Sequence, residues 1–243
     1  VLADLDIAEE KLKTSDPVME FSYDELAGAD SKLDDQLRDD DFLLNRRYRF
    51  NYWAVRALKA RVYLYIGDKA KAYNKLVQLS VEKINTEQAI ISKNALAVQL
   101  KQDKVEPYDT VGFNKAICTA VQDAMECDKY DNMPNAKGKI SPKFHKANQE
   151  KLWNLRLNLI NAGQDAANAN KMDEAALYYG VYVESSSNAL FADRDKEKFP
   201  DQYVGQVARV ASVLAFQNKN IEPANKYCDV ALEAAETYND ALD

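Results

Sequence analysis

The sequence predicts an all-α fold built from stacked antiparallel helix pairs, and two observations lead to that prediction. The 243 residues include only seven Gly and six Pro, beside 47% hydrophobic and 29% charged residues. So few chain-breaking residues argue against β-sandwiches, collagen-like repeats and disordered tails. In addition, apolar residues recur at i, i+3, i+4 and i+7 in most segments between the prolines, which is the period of an amphipathic helix.

We expect nine helices, at residues 2–13, 46–66, 69–84, 87–102, 109–128, 145–169, 172–186, 201–218 and 221–237. Five of the six prolines lie in the polar stretches between them, and Pro223 falls in a first helical turn, where a missing N–H does little harm. No alternating strand pattern is present, and the only candidates for an isolated β-bridge are residues 21–23 and 203–204. The helical period therefore accounts for most of the chain.

Two segments lack the helical period. Residues 15–45 carry ten acids against Lys32 and Arg38, a local charge of -8, and we expect one long acidic loop. Its aspartates lack the spacing and the glycine of an EF-hand, so we expect a solvated loop rather than a calcium site. Residues 129–144 are rich in turn-forming residues and lysine, and we expect a surface loop.

Three windows of the sequence share one spacing. A small residue (Ala60, Gly163 or Ser212) precedes an alanine by twelve positions, and turn-forming residues lie between the two; the alanines are Ala72, Ala175 and Ala224. This spacing resembles the tetratricopeptide repeat, in which two antiparallel helices meet through small residues. We therefore expect a tetratricopeptide-like α-α superhelix that forms a single domain over residues 1–243. Residues 188–204 form an insertion, and the helical segments of residues 87–128 do not fit the offsets.

Repeats of this kind leave a groove lined by the first helix of each pair, which accommodates an extended peptide or a helix of a partner protein. The offsets predict that seven side chains point into it: Arg61, Tyr65, Gln164, Asn168, Gln206, Arg209 and Phe216. Two arginines, three amides and two aromatic rings suit a peptide with acidic or carboxylate groups.

The composition excludes several function classes. A net charge of -7 and a pI near 5.0 disfavour nucleic acid and anionic membranes as main partners. No stretch approaches 18 apolar residues, so we expect no transmembrane segment. The single histidine, His145, rules out a two-histidine metal site and is expected at a helix start; no phosphate loop or nucleophile elbow is present. We expect no enzymatic activity, no metal and no cofactor.

The three cysteines say little about the redox compartment of the protein. Cys118 and Cys127 are expected on opposite faces of one helix, about 13 Å apart, so they cannot bridge each other. We expect all three to be small buried hydrophobic residues, with a disulfide from either one to Cys228 as the alternative. Most aromatic residues, such as Trp53, Trp153, Tyr178 and Tyr179, lie at helical spacing and are expected in the core.

Residues 1–68 resemble the SusD/RagB family of outer-membrane lipoproteins, which present glycans to a partner transporter. The resemblance rests on residues 4–12 (Asp-Leu-Asp-Ile-Ala-Glu-Glu-Lys-Leu) and on residues 49–68, which contain Ala-Arg-Val-Tyr-Leu-Tyr followed by Gly-Asp. From residue 69 the chain instead resembles secreted tetratricopeptide-repeat proteins of Gram-negative bacteria. That second resemblance rests on residues 71–77, 127–131, 159–163 and 199–208.

The change of resemblance near residues 67–70 falls inside one repeat, and it fits a composite chain joined by natural recombination or artificially. No glycan-binding residue carries over, because the segments that form the family's glycan platform have no counterpart here. The resemblance implies a location in the bacterial cell envelope, at the periplasm or the outer-membrane surface. The chain begins at Val1 without a signal peptide, so we expect any export signal or lipid-anchoring cysteine upstream.

These observations predict a non-enzymatic scaffold for protein–protein interaction in the cell envelope, with a peptide or protein partner in the helical groove. The alternative is a SusD-like glycan-binding accessory protein of an outer-membrane uptake system, whose partners would be a glycan and a transporter.

Overall fold

A computed structural model describes residues 1–16, 51–101, 105–135, 137–192, 194 and 201–240 of the chain. These residues contain ten α-helices, one 3₁₀ turn and no strand, which confirms the prediction of an all-α fold of helix pairs. The helices are α1 (Leu2–Ser15), α2 (Tyr52–Tyr65), α3 (Lys69–Gln99), α4 (Thr110–Asp131), α5 (His145–Leu152), α6 (Asn158–Asn168), α7 (Met172–Ser187), α8 (Ala189–Ala192), α9 (Val204–Gln217) and α10 (Ile221–Asp240). The 3₁₀ turn is Leu155–Leu157. None of the described helices is long and apolar enough to cross a membrane.

The chain forms two compact units, Val1–Ala116 and Ile117–Asp243. In the first unit α2 packs against both α1 and α3, and the predicted seam lies at the turn between α2 and α3. In the second unit α6 pairs with α7, α9 pairs with α10, and α7 also packs against α9. The single domain over residues 1–243 stays a prediction, and most of the expected acidic loop lies outside the described residues.

Where the sequence predicted two helices, 69–84 and 87–102, the chain forms the single 31-residue helix α3, so that prediction was wrong. Thr86 lies within α3, and its hydroxyl donates to the carbonyl oxygen of Glu82 one turn earlier, at 3.1 Å. The buried Glu87 accepts from Lys83 Nζ at 3.0 Å and from the backbone N–H of Asp109 at 2.9 Å. Side-chain partners thus support the helix through the polar stretch.

The predicted helix 145–169 is also wrong, because the chain divides it into α5, the 3₁₀ turn and α6. Here a side chain competes with the helical ladder: Asn158 Nδ2 donates to the Leu155 carbonyl oxygen at 2.9 Å. The candidate bridge at residues 203–204 is wrong as well, since Val204 begins α9. Residues 21–23 lie outside the described part of the chain. The expected insertion contains the short helix α8.

The turns α2–α3, α6–α7 and α9–α10 have the same backbone geometry. Each places one residue in the left-handed region: Gly67 (φ 83°), Asn170 (φ 61°) and Lys219 (φ 61°). The next residue donates its N–H to a carbonyl five positions earlier, at 2.9, 2.8 and 2.8 Å, which is the Schellman arrangement. Three turns with one geometry confirm that the three windows are repeated hairpins.

The three alanines of the predicted windows lie five residues after these left-handed positions and occupy equivalent places. Ala72, Ala175 and Ala224 are all buried, and each donates the first backbone hydrogen bond of its helix, at 3.0 or 3.1 Å. Of the small residues expected in the preceding helices, Ala60 and Gly163 are buried, whereas Ser212 is half-buried. The offsets therefore correspond to a physical repeat, with Ser212 as the exception.

Gly163 marks the closest approach of α6 and α7. A Cβ atom at this position would lie 2.5 Å from Cε1 of the Tyr179 ring, nearer than packed atoms come. The α9–α10 pair has its own close approach, since a Cβ on Gly205 would lie 2.7 Å from the Ala234 methyl carbon. Glycine at these places is required for space rather than for backbone conformation, because α6 and α9 are regular helices there.

Arg156 is the largest buried side chain in the second unit and joins several of its elements. Its Nη2 lies 2.6 Å from Asp201 Oδ2, and Nη1 donates to the hydroxyls of Ser185 (3.2 Å) and Ser186 (3.0 Å) on α7. The guanidinium carbon lies 4.2 Å from the centre of the Trp153 ring. A buried arginine is tolerated only with such partners, so this contact network fixes the 3₁₀ turn against α7 and Asp201.

A second buried ion network holds the first unit. Arg56 and Lys59 on α2 are each 3% exposed, and both form ion pairs with Glu9 on α1. Arg56 also pairs with Glu82 on α3. Basic side chains of α2 are thereby paired with acidic side chains of both α1 and α3. These pairs specify which helix faces meet, which a stripe of apolar residues alone would not do.

Cys118 and Cys127 are buried as expected, but Cys228 is exposed, so the expectation that all three are buried was wrong. None of the three forms a disulfide with a residue that the structure describes. Burial raises the pKa of the Cys118 thiol to about 12, which keeps it protonated. Tyr178 and Tyr179 are buried as predicted, while Trp53 and Trp153 are only half-buried.

Gly163→Ala should lower the free energy of unfolding of the second unit by about 1–3 kcal/mol, because the new methyl group collides with the Tyr179 ring. Urea unfolding followed by tryptophan fluorescence measures it in a Trp53→Phe background, where Trp153 alone reports the second unit. Asn161→Ala, at an exposed position of α6, is the control and should change the value by less than about 0.5 kcal/mol. An equal effect of the two substitutions would contradict the close approach.

Candidate functional site

The second unit contains an open groove of about 520 Å³ between α6 and α9. Both helices pack against α7, which supplies the floor of the groove. Nine side chains line it, six of them apolar and three polar: Ala167, Met172, Tyr179, Val210, Val213, Leu214, Gln164, Arg209 and Gln217. A concave, mainly apolar surface with a few polar groups is typical of a binding site.

The pattern of α9 explains why apolar side chains face the groove. One stripe of this helix is buried: Val207, Ala208, Ala211 and Ala215. A second apolar pair, Val210 and Val213, lies outside that stripe and stays 40% and 51% exposed. Met172 at the start of α7 is 39% exposed. Covering such water-exposed apolar groups lowers the free energy, so this surface favours binding of a partner.

Arg209 supplies the positive charge of the groove. Its side chain is exposed, and it forms no ion pair or hydrogen bond with any residue that the structure describes. Nearby, Gln164 Nε2 donates to Asn168 Oδ1 at 3.1 Å on α6. The guanidinium therefore offers its donors to a ligand, and a carboxylate matches their fork geometry.

The floor residue Tyr179 is 5% exposed, and its ring lies against Gly163. Burial raises the pKa of its hydroxyl, and the negative charge of Asp165 raises that pKa further. The floor is consequently uncharged at neutral pH. Just after the last residue of α9, Asn218 Nδ2 donates to Asp173 Oδ1 at 3.0 Å. This bond links the turn after α9 to the start of α7.

All seven residues predicted for the groove are exposed. Gln164 and Arg209 line the groove together, and Asn168 is hydrogen-bonded to Gln164. Gln206 and Phe216 lie on α9 outside the lining, with Phe216 67% exposed. Arg61 and Tyr65 lie on α2 in the other unit, and Tyr65 is 92% exposed. Their role in binding stays a prediction.

The prediction missed the apolar wall and the floor, because it selected polar and aromatic side chains at the repeat offsets. A signal for the wall was present in the sequence. Val210 and Val213 are three residues apart and lie beside the stripe of small residues that buries α9, so the helix carries more apolar surface than its own packing uses.

His145 is the first residue of α5, as predicted, and is half-buried. Its Nδ1 lies 2.6 Å from Oδ1 of the buried Asp128 on α4. Asp131, one turn later, accepts backbone N–H groups at the start of α5. A carboxylate at a helix N-terminus stabilises that helix, so the pair accounts for how α5 begins. In the ranges that the structure covers, no group of three His, Cys, Asp or Glu residues is placed to hold a metal ion.

Asp123 on α4 is half-buried and has no hydrogen bond or ion pair with a residue that the structure describes. Burial raises the pKa of its carboxyl from 3.8 to about 6. An acid whose pKa is higher in the folded chain binds its proton more tightly there than in the unfolded chain. Its contribution to stability is therefore present at low pH and is lost as the pH rises through about 6.

No family model, no curated protein and no solved structure matches the chain.

Asp123→Asn should raise the free energy of unfolding of the second unit by about 1–3 kcal/mol near pH 8. The substitution removes a half-buried negative charge, which the surroundings disfavour enough to raise the carboxyl pKa to about 6. Near pH 3.5, where the carboxyl is protonated, the gain should vanish. Urea unfolding of the full chain at both pH values, read by Trp153 after Trp53→Phe, measures the difference. Asp229→Asn, at an exposed position of α10, is the matched control and should show no pH-dependent gain. A gain of the same size at both pH values would contradict the account.

Proposed function

We propose that the protein is a non-enzymatic scaffold of the tetratricopeptide type, which binds a peptide segment of a partner protein in the groove between α6 and α9. The observation that carries the proposal is the combination of an exposed apolar wall with an arginine that has no partner among the described residues.

The shape of the groove favours a peptide over a small metabolite. The groove is open along two neighbouring helices, and its apolar wall remains exposed to water at Met172, Val210 and Val213. A peptide with two apolar side chains would cover these groups while its backbone stays at the surface. Each apolar side chain that becomes fully buried contributes roughly 1.5–3 kcal/mol.

The charge of the groove indicates which peptide it would take. Arg209 lies beside the amides of Gln164 and Gln217, so the groove presents donors to a carboxylate. The chain as a whole carries -7, which repels acidic partners at long range. A carboxylate would therefore be recognised by this local pairing, and we expect a peptide with one acidic group beside apolar residues.

The location in the bacterial cell envelope belongs to the same proposal and is supported by the resemblance of residues 1–68 and 69–243 to envelope proteins. The SusD-like glycan function is the second proposal. Tyr65, in the first unit, is the most exposed aromatic side chain among the described residues and is the place where a sugar ring would stack.

A phage-displayed library of random peptides, selected on the full chain, provides the probe for a test. Selected peptides should contain an acidic residue beside apolar ones. Arg209→Gln should weaken their binding by about 10–150-fold, because a hydrogen-bonded charge pair contributes roughly 1.5–3 kcal/mol. Val213→Asp should weaken it at least tenfold by removing part of the apolar wall. Fluorescence anisotropy of a labelled peptide measures both constants.

Two matched controls separate the groove from the surface as a whole. Lys219→Gln removes a positive charge outside the groove lining, and Leu232→Asp places a carboxylate on α10 at a position 58% exposed; both should bind the peptide as the unaltered chain does. Failure to select any peptide, or equal losses in control and groove variants, would contradict the proposal. Binding to an oligosaccharide array that is lost with Tyr65→Ala would support the glycan function instead.

A further inference from the structure

The loop between α4 and α5, residues 132–143, is closed at its base and is called the lysine loop here. Asp131, the last residue of α4, accepts the backbone N–H groups of Lys143 at 2.7 Å and of Phe144 at 2.6 Å through Oδ2. The chain thus leaves and returns at one carboxylate, which is the arrangement of an Ω-loop. The side chains between these points are held within one small projection.

The tip of the lysine loop has a defined turn. Asn135 Oδ1 accepts the backbone N–H groups of Lys137 (2.9 Å) and Lys139 (3.2 Å). The Asn135 carbonyl accepts the N–H of Gly138 at 2.8 Å, and the Asn135 N–H donates to the Lys139 carbonyl at 3.0 Å. Gly138 has φ 73°, a conformation that glycine adopts without strain. These hydrogen bonds define the backbone turn that links Asn135 to residues 137–139.

The charge of this loop is opposite to that of the chain. The lysine loop contains Lys137, Lys139 and Lys143 and no Asp or Glu, so it carries a charge of +3 in a protein of net charge -7. All three lysines are exposed, and their ammonium groups form no ion pair with a residue that the structure describes. Their charge is available to an anionic partner.

Two apolar side chains lie among these lysines. Met133 is 51% exposed and Ile140 is 55% exposed. Every described residue from 133 to 143 is exposed, so the loop offers side chains that extend into solvent. A protein partner would need its own cavity for these side chains. A lipid surface accepts them directly, since apolar tips enter the acyl boundary while lysine amines stay among the headgroups.

We propose that the lysine loop docks the protein on an anionic lipid surface, with Ile140 and Met133 inserted and the three lysines on lipid phosphates. The net charge of -7, which disfavours an anionic membrane as the main partner of the whole chain, confines this attachment to the loop and makes it salt-sensitive. The proposal does not depend on the peptide-binding groove, because it uses other residues of the second unit.

Sedimentation of the full chain with lipid vesicles tests the proposal. The protein should bind vesicles of phosphatidylcholine containing phosphatidylglycerol, and should not bind pure phosphatidylcholine. The triple variant K137Q/K139Q/K143Q should partition roughly a hundredfold more weakly, because each lysine near an anionic leaflet contributes about fivefold. The variant K11Q/K13Q/K115Q makes the same change of charge at three exposed lysines elsewhere and should lose no more than about twofold.

Insertion is tested separately with Ile140→Trp in a Trp53→Phe, Trp153→Phe background. The new tryptophan should shift its emission to shorter wavelength on anionic vesicles and be quenched by brominated lipid. The proposal is overturned if the unaltered chain does not sediment with anionic vesicles, if both triple variants lose binding equally, or if the tryptophan at position 140 shows no quenching. Capture of poly-glutamate without vesicle binding would instead assign the loop to an acidic protein.

Discussion

The contact between Gly163 on α6 and the Tyr179 ring on α7 is the constraint on which the second unit depends. The absence of a side chain at position 163 lets the two helices approach until the ring lies against the backbone. The same ring forms the floor of the groove, and α7 also packs against α9. One glycine therefore determines both the packing of a hairpin and the depth of the surface proposed to bind a partner.

Buried arginines distinguish this protein from a simple apolar stack of helices. Arg156 in the second unit and Arg56 in the first are each 3% exposed or less. Arg56 pairs with carboxylates on two other helices, and Arg156 pairs with Asp201. Removing an ionised group from water costs several kcal/mol, which these pairs offset only when their geometry is kept. We infer that they select one arrangement of helices, rather than adding much to stability. Exposed ion pairs such as Lys146–Glu150, by contrast, contribute little.

The sequence predicted the elements that depend on local rules. Helical periodicity identified most helices, and the repeat offsets placed the three hairpin turns and the alanines that follow them. The prediction failed where polar side chains find partners that the local pattern does not show. Glu87 in the middle of α3 accepts from Lys83 and from the backbone N–H of Asp109, and the amide of Asn158 interrupts the helix before α6. Polar side chains support or interrupt a helix according to partners that no single sequence displays.

For the candidate site, the offsets located Gln164 and Arg209 but not the apolar side chains around them. The offsets do not tell whether an apolar side chain is exposed, and an exposed and a buried valine look alike in sequence. The same limit applies to the lysine loop, whose turn-rich composition predicted a surface position, whereas its closure at Asp131 required the fold.

The proposed binding site places the partner peptide against α9, over Tyr179. A photo-crosslinking amino acid at position 213, with the linked peptide mapped by mass spectrometry, detects a partner in that place. We expect a crosslink from position 213 and none from Leu232, which is similarly exposed on α10. Crosslinking from position 232 in preference to 213, or equally from both, would show that the peptide does not bind in the groove.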